Sequence, residues 1–174
     1  MRKLICLLSL VIAAAVSQAQ VFPSGFFPAV PPFIDGFDTL APGSYTGFPM
    51  FGGNGGAARI GGVNAMLVGN VGGIALTAPN YMFGRGCDVQ IKLVQPMKYF
   101  GGFFQVAPAG IGITTIKFAF YDMFNVLIGS VAVPCPAAWT WIGWKTNPLW
   151  QRVEIYGVGG ALPGYVAMDE IRVA

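Results

Sequence analysis

The chain has 174 residues, enough for one domain and a short extra segment, with 55% hydrophobic and only 10% charged residues. It contains no histidine, which removes Ser-His-Asp and Cys-His catalysis and every histidine-ligated metal site. The formal net charge is +3 and, beyond Arg2-Lys3, the basic residues are scattered singly, so no patch is built to attract nucleic acid.

Residues 1–19 read as a signal peptide. Arg2 and Lys3 give the positive start, Leu4 to Val16 the apolar run, and Ser17-Gln18-Ala19 the small residues before a cleavage expected after Ala19. The run is shorter than the roughly 20 apolar residues of a bilayer span, so no membrane span is expected after cleavage. Removing it takes Lys+Arg from 10 to 8 against 7 acidic residues, and the net charge from +3 to +1. The expected location is extracellular, periplasmic or at the cell surface.

Residues 20–33 hold Pro23, Pro28, Pro31 and Pro32 among Phe22, Phe26, Phe27 and Phe33. Proline fixes φ and removes donors, which predicts an extended arm whose phenylalanines dock on the domain or on a partner. Residues 34–174 form the domain proper. Ile34 to Leu40 is its first predicted strand. The glycine-rich stretch 43–62 predicts a long loop with at most a short strand over 57–60. Short apolar runs follow at Met66 to Val71 and Gly73 to Ala78.

Beyond residue 87 the pattern sharpens. Val89, Ile91 and Leu93 alternate with Asp88, Gln90 and Lys92, and a strand over Met97 to Val106 comes next. Ile116, Phe118 and Phe120 alternate with Thr115, Lys117, Ala119 and Tyr121, so the two sets lie on opposite faces of one strand. Asp122-Met123-Phe124-Asn125 is a turn, because Asp bonds its own backbone and Asn tolerates the left-handed conformation. Val126 to Val133 returns as the second arm of this hairpin. Trp139 to Lys145 and Gln151 to Tyr156 are two further strands, the latter with Val153 and Ile155 inward and Arg152, Glu154 and Tyr156 outward. Tyr165 to Val173 closes the domain. No apolar stripe at helical spacing occurs outside the leader, so the fold class is all-β, an antiparallel β-sandwich, with barrel closure as the alternative. Cys87 and Cys135 are the cysteines left after leader removal. In an oxidising compartment they predict a disulfide worth on the order of 4 kcal/mol, against the alternative of two separate buried thiols.

Several motifs match a known group: Phe120-Tyr121-Asp122 before a turn, Ile128-Gly129-Ser130-Val131, Trp141-Ile142-Gly143-Trp144, Arg152-Val153-Glu154-Ile155 and Met168-Asp169-Glu170-Ile171, with Phe37-Asp38-Thr39-Leu40 at the start. From Asp35 to Val173 the chain resembles the jelly-roll, galactose-binding-like domains of bacterial exported proteins. Those domains look like carbohydrate-binding modules, and many carry a PEP-CTERM sorting tail. The sequence departs in lacking the usual turn glycine and in ending at Ala174 without a sorting tail.

Seven carboxylates, Asp35, Asp38, Asp88, Asp122, Glu154, Asp169 and Glu170, are the candidates for a glycosidase pair, but none stands in a distinctive setting. Asp169 falls on the inward parity. It is expected to cap backbone amides, with a structural calcium shared with Asp35 or Asp38 as the less favoured alternative; no other cofactor is expected. Trp139, Trp141, Trp144 and Trp150 are candidate faces for stacking on sugar rings, or else core residues. Together these readings predict an exported module without catalysis that binds carbohydrate or another macromolecule. A structural envelope or matrix component is the alternative.

Overall fold

The central hairpin shows how the alternating sequence becomes structure. In the computed structural model, which describes residues 20–25, 33–61, 65–69, 80–84, 88–106, 112–159 and 166–174, Ile116, Phe118 and Phe120 are fully buried. The Asp122 carboxylate accepts from the amides of Phe124 and Val126, at 2.9 and 2.8 Å, and Asn125 takes a φ of 64°. The turn is thus closed by the two residue types that favour it.

Twelve strands are described: β1 (Gln20–Pro23), β2 (Phe33–Asp35), β3 (Gly43–Tyr45), β4 (Gly47–Met50), β5 (Gly55–Ile60), β6 (Met66–Gly69), β7 (Tyr81–Gly84), β8 (Asp88–Val106), β9 (Thr115–Tyr121), β10 (Leu127–Pro134), β11 (Thr140–Val158) and β12 (Val166–Val173). Every pairing is antiparallel. The fold is the all-β antiparallel sandwich that the alternation predicts. Its hydrogen bonding is nonetheless continuous through all twelve strands, because β8 and β11 are long enough to serve both layers. One layer runs β10-β9-β11-β8-β5-β4, using the end of β11 and the start of β8. The other runs β1-β11-β8-β12-β7-β6-β3, using the start of β11 and the end of β8, with β2 also on β12.

The layers meet through aromatic rings. Phe118 of β9 stands 5.2 Å from Phe104 and 6.0 Å from Phe100 of β8, strands that share no hydrogen bond. Trp150 lies 5.4 Å from Phe100 and 6.0 Å from Phe120. Each such side chain contributes about 2–3 kcal/mol of burial, and the tilted and edge-on ring pairs add about 1 kcal/mol each.

Three expectations are corrected. The strands expected separately over 97–106 and 88–93 are one 19-residue strand, as are those over 139–145 and 151–156. Their pairing merely shifts register between Lys145 and Arg152. The glycine-rich 43–62 is not a loop: it holds β3, β4 and β5, with a 3-10 turn at Phe51–Gly53. A β-carbon on Gly55 would lie 2.9 Å from the Lys92 carbonyl and from Leu93 Cδ2, so glycine there permits the close approach of β5 to β8. The arm begins by docking on the domain, one of the two expectations for it, because Gln20–Pro23 pairs with β11. Cys135 is a free thiol. Cys87, like the leader, Phe26, Phe27 and the run at 73–78, lies outside the described residues.

Candidate functional site

The tryptophans do not assemble into a platform. Trp150 is fully buried and Trp144 is packed beside Phe118 at 6.0 Å, so both belong to the core. Trp139 and Trp141 are half-buried elsewhere. Trp139 meets Tyr81 edge-on at 5.7 Å, and Trp141 lies between Phe103 and the Arg172 guanidinium. Trp144 and Trp150 share the inward parity of β11, and the register shift between Trp150 and Arg152 then turns Arg152 outward.

The concentrated polar chemistry lies on the outer face of the β10-β9-β11-β8-β5 layer. Register aligns three rows across four strands. Tyr121, Arg152, Lys92 and Gly56 form one, Ala119, Glu154, Gln90 and Ala58 the next, and Lys117, Tyr156 and Asp88 with Ile60 the third. These are the outward members of strands whose inward members make the core.

Glu154 is the hub. Tyr121 donates to it at 2.8 Å, Tyr156 donates to it, and Arg152 forms an ion pair with it. Arg152 also donates through Nε to Asn125 at 3.0 Å and stacks on Tyr121, with its guanidinium carbon 3.6 Å from the ring centroid. Arg152 and Glu154 are only 13% and 12% exposed. Burial raises the Tyr156 hydroxyl above the ordinary phenol range; Tyr121 and Asp88 push it the same way and Arg152 opposes them, so it stays a donor. Burial likewise raises the Asp88 carboxyl, against a backbone bond from Gly157, and its Oδ1 is buried without a hydrogen-bond partner.

Beside this network the face dips. A shallow groove of about 510 Å³ is lined by Gly55, Gly56, Ala58, Gln90, Lys92 and Gln151, among others. Small residues on β5 make its floor, while the longer side chains of β8 and β11 make its wall. Gln151 is fixed by donating to the Val94 carbonyl at 3.0 Å. The groove thus joins an apolar floor to two amides and an ammonium.

Of the seven carboxylates, Asp88 and Glu154 share this face, on adjacent strands and offset by one pair. Others hold backbone. Asp35 accepts from the amides of Phe37 and Phe51, at 3.0 and 2.9 Å, and Asp38 from that of Asn80 at 3.1 Å. Glu170 pairs with Arg172. Asp169 is fully buried, as its parity predicts, and accepts from the Glu170 amide at 2.8 Å. β2 does lie beside β12, with Asp35 opposite Ile171, but the Asp35 and Asp38 carboxylates are turned toward other amides. Among the described residues no group of three metal-ligating side chains gathers, and no helix is long and apolar enough to cross a membrane.

No family model and no curated protein matches the chain. Solved structures similar to it include the enzymatically active domain of bacteriophage CBA120 tailspike protein 4, at 17% identity and a TM-score of 0.40, covering 70% of this chain and 19% of that one. The expectation of a chain without catalysis is withdrawn on that finding, and nothing of that domain's activity passes to this chain.

Proposed function

We propose that the chain is exported and binds carbohydrate on the outer face of the β10-β9-β11-β8-β5 layer. The observation that supports this reading is the groove beside Arg152 and Glu154, where Gln90, Gln151 and Lys92 stand over a floor of glycine and alanine. A sugar ring offers an apolar C–H face and a rim of hydroxyls that each donate and accept. The floor suits the first. The amides suit the second, since each carries both a donor and an acceptor. Lys92, exposed, is a donor for hydroxyl or carboxylate oxygens of the glycan. Gln151 is already held by its bond to the Val94 carbonyl, so less ordering remains to be done on binding. The leader-like residues 1–19 support the exported location.

Affinity electrophoresis through gels containing individual polysaccharides tests the reading. Retardation of the wild type by at least one polysaccharide, lost in Gln90→Ala and Lys92→Ala, is the expected result. Retardation that survives both substitutions, or no retardation by any polysaccharide in a broad panel, overturns it.

A further inference from the structure

Edge strands expose unpaired backbone groups, and natural sheets blunt them with proline, charge, bulges or brevity. Most edges described here are blunted. β4 carries Pro49, β1 ends on Pro23, and β2 and β3 have three residues each. β10 differs. It is eight residues long, pairs only with β9 among the described residues, and has proline only at its last position. Its one irregularity is a bulge between Leu127 and Gly129. From Met123 to Ala138 there is no charged residue. At the hairpin tip beside it, Met123, Phe124, Val126 and Leu127 are between 52% and 76% exposed.

We infer that β10 pairs antiparallel with β10 of a second copy, joining the two layers into one continuous sheet across a two-fold axis. Three features select a second copy as the occupant. The absence of charge along the whole edge means that identical strands brought together place no like charges opposite each other. The outward side chains Ser130 and Ala132 are small, so they leave room for a neighbouring strand on that face. An antiparallel two-fold also sets the apolar tip of one copy beside the 134–138 end of the other, which is equally uncharged and carries exposed Pro134, Ala137 and Ala138. The exposed Phe124 thereby gains a cover that the described residues do not supply. Strand-edge pairing of this length belongs at the small end of interface size, so the dimer should dissociate within a dilution series.

Light scattering with size-exclusion chromatography across such a series, on the exported form, tests this. Expected are a mass rising to twice that of one chain with concentration, and a loss of that rise in Ser130→Lys and Ala132→Lys, which place like charges across the axis. Phe124→Ser lies outside the β10 ladder and should weaken the dimer severalfold with an unchanged circular dichroism spectrum. Hydrogen exchange on the wild type removes any dependence on variants: β10 amides should gain protection as concentration rises. A monomer at every concentration, or a dimer whose β10 amides gain no protection, overturns the inference. A monomer that co-sediments with phosphatidylcholine vesicles through Phe124 assigns the tip to a lipid surface and equally overturns it.

Discussion

Arg152 stacks on Tyr121 with its guanidinium carbon 3.6 Å from the ring centroid, while the same guanidinium pairs with Glu154. One side chain therefore ties β11 to β9 and, through Asn125, to the hairpin turn. Lysine has neither the planar surface nor the fork, so Arg152→Lys should cost about 2 kcal/mol in urea unfolding. Arg152→Ala leaves a largely buried carboxylate without its cation and should cost about 3–5 kcal/mol. Tyr121→Phe removes a single donor and should cost about 1 kcal/mol.

The hairpin turn rests on Asp122. Its Oδ1 accepts two amides, so Asp122→Ala should destabilise by about 1–2 kcal/mol in thermal or urea unfolding. Asn125 sits at a φ of 64°. Asn125→Gly should be tolerated better than Asn125→Ala: both lose the bond from Arg152, but glycine has no β-carbon to strain in the left-handed conformation.

Gly143 governs the docking of β1. A β-carbon there would lie 2.5 Å from the Ser24 carbonyl oxygen and 2.9 Å from Trp141 Nε1. Gly143→Ala should loosen Gln20–Pro23 from β11 at a cost of about 1–3 kcal/mol. Faster hydrogen exchange at Val21 and Phe22, and cleavage near Ser24 under limited proteolysis, should report it.

Cys135 offers a pH signature. Burial raises its thiol to about 11, from 9.0 when exposed. The folded protein should therefore react slowly with iodoacetamide near neutral pH and at the ordinary thiol rate once denatured. The sign for stability follows. The buried neutral thiol's contribution is fully present below pH 9, and it falls away as pH rises toward 11. Cys135→Ser should shift that alkaline loss, as monitored by unfolding midpoints between these two values.

Much of the fold was legible because period two is a strong signal where one face is buried. Ile116, Phe118 and Phe120, and Val89, Ile91 and Leu93, lie inward as their spacing predicts. Asp122 and Asn125 announced their turn. β3 and β4 escaped notice, and β5 was expected only over 57–60, because glycine reads as loop when it instead permits close strand approach, as Gly55 does beside Leu93. The candidate site was half legible. Parity placed Arg152, Glu154 and Tyr156 outward, and Asp88, Gln90 and Lys92 opposite the inward set on their own strand. That these two sets face each other in register is a property of β11 pairing with β8, strands some 50 residues apart, and no local pattern encodes it. The tryptophans were left open between core and binding face, because large aromatics serve both alike, and no local pattern shows that the alternation changes phase between Trp150 and Arg152.

The most direct test is a titration of isotopically labelled protein with an oligosaccharide from the polysaccharide that retards it most, read by amide chemical shifts. Changes gathered at Gly56, Ala58, Gln90, Lys92 and Gln151 are the expected result. Changes gathered instead around Trp139 and Trp141, with the groove silent, contradict it.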